Sequence, residues 1–240
     1  ILASLAALGT LATNILLPSL PGIAGSFGAP TAATGSMMSS FFATFAVGQL
    51  FVGPLSDRYG RRPIVLGGLV VFVVGSIACA LAPTLPGLVA GRIIQAIGVC
   101  ATAVLSRAIA RDLYSGNELA RVLAVIMVAM AAAPGFSPLV GSGLDHAFGW
   151  RSAFVAVAVF GLVLALAYAL SVGETHGAAR SRLDPAAIIG GYVSLLRDRR
   201  FIVPAASVSM VIGGLFAVFT VTPAILVDGL GFTPFALGLF

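Results

Sequence analysis

In the run GPLSDRYGRR, Asp57 stands among Arg58, Arg61 and Arg62, with Gly53 and Gly60 spaced through the stretch. Opposite charges this close make and break ion pairs, and that is the chemistry of a latch rather than of a reaction. The three arginines can hold Asp57, the acid Asp112, or lipid phosphates, and Asp57 can meet the positive end of a neighbouring helix. Gly53, Gly60 and Pro63 permit a tight turn. A second constellation is Arg92 with Gln95 one turn along, inside an apolar stretch. A guanidinium in such surroundings is costly, so it either anchors a polar network or extends to a headgroup layer. A third is AAAPGFSPLVGSG, where Pro134, Ser137, Pro138 and Gly141 fall close together. Ser137 with His146 superficially suggests a nucleophile and base, but the pattern is not Gly-x-Ser-x-Gly. Cys79 and Cys100 lie in apolar runs without metal-ligand or CxxC spacing and read as small buried hydrophobes. No metal cluster or cofactor motif is found, and neither metal nor cofactor is expected.

The elements that position these residues follow from composition. The 240 residues are 59% hydrophobic and 9% charged, with a mean hydropathy of +1.10. A soluble domain carries about 25% charged residues, so the solvent of this chain is largely lipid. Its +5 charge comes from 13 arginines against 8 acids, with no lysine. Elsewhere that balance would suggest nucleic acid; here the placement of the arginines argues otherwise.

A crossing helix needs about 20 apolar residues. Runs at 1–17, 34–55, 63–82, 85–106, 122–143, 152–172 and 201–227 qualify, and an eighth begins near Phe235. They are too long and uninterrupted for barrel strands of about 10 residues. Alternate connections then lie on opposite faces of the membrane. One face carries 11 arginines, including Arg58, Arg61, Arg62, Arg107, Arg111 and Arg121, and the other carries only Arg151. That asymmetry puts the Asp57 loop in the cytosol and the connections 18–33, 83–84 and 144–151 outside. It is topological, so no nucleic-acid surface is expected. The sequence starts at Ile1 without a methionine, basic leader or cleavage site and stops inside an apolar run, as expected of a piece of a longer chain.

The expected division is a six-helix bundle over 1–172, a cytoplasmic linker over 173–200 and the start of a second bundle over 201–240. Within the linker Asp184 and Pro185 can cap a short helix carrying Ile188, Tyr192 and Leu195 on one face; a plain solvated linker is the alternative. Gly53, Asp57, Gly60 and Arg62 recur as Gly141, Asp145, Gly149 and Arg151, with one residue inserted. One copy lies inside and one outside, as three helices repeated upside down would place them. Along the fifth span Ala129, Ala133, Ser137 and Gly141 form a small-residue stripe for close helix approach. Phe41, Phe45, Met127 and Phe219 offer soft apolar surface suited to a lipophilic ligand, and equally to packing or lipid contact.

GPLSDRYGRR resembles the loop 2–3 motif of the major facilitator superfamily, and GRIIQAIGVCATAV its helix 4 motif with Arg92 at the arginine. APGFSPLVGSG resembles the helix 5 motif of its antiporters. SRAIARDLYSGNELARV, GWRSAF and TNILLPSLP are most similar to bacterial drug:proton antiporters of the bicyclomycin and chloramphenicol resistance type. The resemblance implies an all-α, polytopic fragment with an inverted repeat of three helices, helix 7 and the start of helix 8. It implies a monomer in the bacterial inner membrane, not an enzyme, exporting small lipophilic drugs against protons. A metabolite facilitator or symporter of the same fold is the alternative, and a membrane-embedded enzyme or receptor a remote one. Gly53, Asp57, Arg58, Gly60, Arg61, Arg62 and Asp112 would form the gate. Asn14, Arg92 and Gln95 would line the central cavity, and Pro134, Ser137, Pro138 and Gly141 would seal or hinge helix 5. The family's helix 1 carries an aspartate where this chain has Asn14, which hydrogen-bonds but carries no proton.

Overall fold

The computed structural model describes residues 1–175 and 185–224, except for the side chains of 31–32, 185–187 and 215–224. The regular structure among the described residues is all helix, and six helical segments are long and apolar enough to cross a membrane. The first expected span is broken. Helix α1 (Leu2–Asn14) gives way to a 3-10 turn (Leu17–Ser19) and a short α2 (Leu20–Ser26). Pro18 and Pro21 fall at the starts of the two new segments, where a missing N–H costs nothing. Much of the connection expected over 18–33 is therefore helical.

The next elements are α3 (Thr31–Tyr59), α4 (Arg61–Ala80), α5 (Leu85–Leu113), α6 (Gly116–Phe148) and α7 (Arg151–Ser171). Several outrun their apolar stretches: α5 continues through Arg107 and Arg111, and α6 begins before Arg121. Hydropathy ends where the hydrocarbon ends, while backbone hydrogen bonding carries the helix on into the headgroups. Separately, α8 (Pro185–Arg197) and α9 (Arg199–Ala224) pack on one another, and the Asp198 carboxylate accepts the Arg200 N–H at 2.9 Å at the start of α9. Contacts divide the chain into Ile1–Ser181 and Arg182–Phe240. Asp184 and the eighth span fall outside the described residues.

Lipid tails are as apolar as leucine, so helices in a bilayer gain from close packing rather than from leaving water. Glycines supply that closeness here. Gly68 and Gly75 on α4 meet α5 seven residues apart, as do Gly98 and Gly91 on α5 against α4. A β-carbon at Gly75 would press on the Gln95 backbone, and one at Gly91 would sit 2.7 Å from the Cys79 sulfur. Gly48 brings α3 onto Cys100 in the same way, and Gly161 of α7 receives the Phe72 ring. The core between them holds Leu5, Leu69, Phe72, Val99 and Phe154, and both cysteines are buried.

The two repeat copies take the same shape. Gly60 alone separates α3 from α4 at φ +100°, and its N–H donates to the Ser56 carbonyl at 2.9 Å. Gly149 follows α6 at φ +79°, with its N–H donating to the Asp145 carbonyl at 2.8 Å. Only glycine takes such φ values without strain. Gly53 lies inside α3 and contributes nothing to the turn.

Candidate functional site

At the Gly60 end of the bundle the charges of the first motif converge. Because α4 starts immediately after Gly60, its first N–H groups point outward unpaired, with the positive end of the helix dipole behind them. Glu174, beyond the end of α7, fills that position: its carboxylate accepts the N–H of Arg61 at 2.9 Å and of Arg62 at 3.2 Å. A β-carbon at Gly60 would collide with this carboxylate.

The Arg61 side chain turns back over the junction. It donates to Asp57 at 2.7 Å, to Asp112 at the end of α5 at 3.2 Å, and to the buried Ser56 hydroxyl. Its side chain is 12% exposed, against 47% for Asp57, so it is the enclosed hub and Asp57 its wetter partner. Arg62 donates to the Ala169 carbonyl at 2.8 Å, which satisfies the last turn of α7. Asp112 also accepts from the Thr175 hydroxyl at 3.5 Å. One cluster thus gathers the ends of α3, α4, α5 and α7. Arg58 stands apart, exposed, its guanidinium 5.4 Å from the Tyr59 ring centroid.

Arg92 is 0% exposed, enclosed within the bundle. Its guanidinium lies 4.0 Å from the centre of the Phe41 ring and donates to the Gln95 amide oxygen at 2.5 Å and the Ala12 carbonyl at 3.3 Å. Met38 sulfur lies at 3.9 Å. Gln95 passes the chain on to the Ser76 hydroxyl at 2.7 Å, and Ser76 donates to the Phe72 carbonyl at 2.7 Å. A desolvated cation over an aromatic face gains about 2 kcal/mol, and neutral acceptors take up the donors at Nη1. The arrangement holds a charge inside the bundle and ties α1, α3, α4 and α5 to it. No carboxylate takes part among the described residues.

Asn14, Arg92 and Gln95, the residues expected to line a central cavity, are all buried within this bundle. Arg92 and Gln95 are wholly covered by this bundle alone, and Asn14 is 8% exposed. Asn14 donates to the Thr10 carbonyl at 2.8 Å within α1. Phe41 is likewise buried, with Phe45 stacked against it at 6.2 Å, so the pair forms the wall of the Arg92 enclosure. Met127 is 69% exposed on α6. The Phe219 side chain lies outside the described residues.

The stripe on α6 is the seam to α1. Ala133, Ser137 and Gly141 are buried, and a β-carbon at Gly141 would fall on the Ile15 carbonyl. Pro134 and Pro138 lie within the continuous helix. Each lacks the N–H that would reach the carbonyl four residues earlier. The Ser137 hydroxyl donates to the Ala133 carbonyl at 2.5 Å, while His146 is exposed at the helix end, so the two are not paired.

Residues 2–240 match the family described as Major Facilitator Superfamily. The chain belongs to that superfamily. It is 35% identical to the uncharacterized MFS-type transporter YdgK of Bacillus subtilis over 98% of this chain and 59% of the relative. It is 30% identical to Multidrug resistance protein D of Escherichia coli over 88% of this chain and 52% of that protein. The chain therefore spans about half the length of the curated relatives it matches. Among solved structures, a bacterial homologue of the human lysosomal transporter Spinster superposes with a TM-score of 0.68. The match is 18% identical and covers 82% of this chain and 47% of that one, and it shows the shared fold. The superfamily match agrees with the family resemblance read from the sequence.

Sequence reasoning missed Ser56 and Ser76, and it gave Glu174 no partner and Met38 no place beside Arg92. Glu174 is separated from Arg61 by 113 residues, and no local spacing announces a carboxylate that caps a helix so distant in the chain.

Proposed function

We propose that the protein to which this chain belongs is a secondary transporter of the bacterial inner membrane. It exports small lipophilic compounds in exchange for protons by alternating access. The observation that carries the transport reading is the Arg61 cluster. Its contacts gather four helix ends through polar bonds that are partly exposed. Bonds of this kind can hold one side of a bundle shut and release it at modest cost. Export of lipophilic compounds is supported by the likeness to Multidrug resistance protein D.

In this reading the Gly60 end is cytoplasmic, which the arginine asymmetry supports. Residues 1–172 form the first bundle, 173–200 the linker and 201–240 the start of the second, and the protein acts as a monomer. The Arg92 network is the part of the bundle interior that senses a change of access, because opening the Phe41 wall would expose a charge to the cavity. Pro134, Ser137, Pro138 and Gly141 keep the α1–α6 seam tight against proton leak.

A second reading is a facilitator or symporter moving a metabolite. It is favoured by the placement of the acids: among the described residues they lie at helix ends or in connections, and Asn14 in α1 carries no proton. The test uses the full-length protein in proteoliposomes loaded with a pH dye. Under an imposed proton gradient, antiport requires that added lipophilic drug dissipate the gradient. Passage of compounds without proton movement would replace the antiporter by a facilitator, and sugar-driven proton movement would make it a symporter.

A further inference from the structure

From the Gly60 turn, α3 and α4 both pack on α5 and only lightly on each other. Gly48 seats α3 on Cys100, while Gly68 seats α4 on Gly98 and Ala101. The space left between them is a groove of about 690 Å³. Val47, Phe51 and Leu55 of α3 form one wall, Ile64, Gly67 and Val71 of α4 the other, and α5 around Cys100 the floor. Thr44 carries the sole hydroxyl in the lining. At Gly67 a β-carbon would meet nothing within 4 Å, so the groove is open there.

Its length and position suit a particular occupant. From Thr44 to Leu55 the helix rises roughly 16 Å at 1.5 Å per residue, about half of a ~30 Å hydrocarbon core. The groove therefore lies in one leaflet, the one at the Gly60 turn. Stepping one helical turn beyond Leu55 along the same face of α3 reaches Arg58 and Tyr59, both exposed. Arg61 and Arg62 are engaged by Asp57, Asp112 and the Ala169 carbonyl. Arg58 meets only the face of the Tyr59 ring among the described residues, which leaves its in-plane donors free for an anion.

We propose that this groove holds one acyl chain of an anionic phospholipid whose phosphate is bound by Arg58. Packing of the chain against the glycine-lined trough supplies contact, since no hydrophobic gain is available inside a bilayer. The headgroup supplies selectivity. Guanidinium and phosphate form directed, charge-assisted hydrogen bonds, and a headgroup with its own cation would bring a like charge towards Arg58. Phosphatidylglycerol should therefore be preferred to phosphatidylcholine.

The experiment is native mass spectrometry of the full-length protein in mild detergent, titrated with each of these two lipids. One phosphatidylglycerol should be retained at least several-fold more readily than phosphatidylcholine. Arg58→Gln should abolish that preference. Gly67→Phe, which fills the groove without touching the headgroup position, should lose the bound lipid of either kind. Val159→Phe, on the exposed outer face of α7, should change neither. If Gly67→Phe does not fold, Val47→Trp in a background with Trp150 and any other tryptophan of the full-length protein replaced by Phe reads the same groove. Brominated phosphatidylglycerol must then quench the introduced indole more than brominated phosphatidylcholine does. Equal retention of the two lipids, lipid kept by Gly67→Phe, or an indole that neither lipid quenches would each overturn the proposal.

Discussion

Two glycines on one helix are predicted to respond oppositely to the same methyl group. In Gly75→Ala the new β-carbon would lie 2.7 Å from the Gln95 Cα and 3.0 Å from its Cβ, with the Gln95 backbone nitrogen closer still. Ordinary contact begins near 3.4 Å. Relief therefore requires α4 and α5 to separate by about 1 Å at the Gln95 nitrogen, against backbone that cannot rotate away. Overpacking of this kind costs about 1–3 kcal/mol. Gly67→Ala adds its methyl to open space and removes the conformational freedom of a helical glycine, a gain of roughly 0.5–1 kcal/mol. Both lie within α4, so helix propensity is matched and neighbouring backbone is the variable. Loss of helical circular dichroism under SDS titration in mixed micelles reads the difference. The midpoint should fall for Gly75→Ala and rise slightly for Gly67→Ala. Equal shifts, or a drop confined to Gly67→Ala, would refute the claim that α4 and α5 are locked by backbone approach.

Three other substitutions test the remaining contacts. Gly60→Ala meets both a φ of +100° and the Glu174 carboxylate; it should lower stability by about 1–3 kcal/mol, while Gly53→Ala, with nothing within 4 Å, should change the unfolding midpoint little. Arg61→Ala removes both ion pairs of the cluster. It should cost about 1 kcal/mol or more, since Asp57 is half-exposed while Arg61 itself is enclosed, and increase thiol labelling of a cysteine introduced at Thr175, whereas Arg61→Lys should retain part of the closure. Gly141→Ala drives a methyl into the Ile15 carbonyl and should destabilise by about 1–3 kcal/mol, read from the same SDS midpoint, with Gly143→Ala as the unhindered control.

The spans were legible because bilayer thickness imposes a length on apolar runs, and the runs at 63–82 and 152–172 correspond closely to α4 and α7. Helix ends were not legible at Arg107, Arg111 and Arg121, where helix continues after the hydropathy signal stops. The stripe on α6 could be read because spacing by four defines a face on a single helix. Glycines at 68 and 75 carry meaning only opposite α5, and sequence does not state which helix lies opposite. The Arg61 cluster was half visible for the same reason: Asp57 and Arg61 are four residues apart, but Asp112 and Glu174 arrive from the ends of other helices. Burial of Arg92 was hidden too, since Phe41 covers it from a helix 51 positions away in the chain.

The single-residue turn at Gly60 has a consequence for how this chain tolerates change in length. Surface connections in most proteins absorb insertions freely. Here one extra residue after Gly60 has no slack in which to be absorbed, and it would turn everything after it by about 100° around the α4 axis. Gly68 and Gly75 would swing off α5, and the Glu174 carboxylate would face a different pair of amides. The register of this bundle is fixed at the Gly60 turn, so in descendants of this sequence length variation should be excluded there.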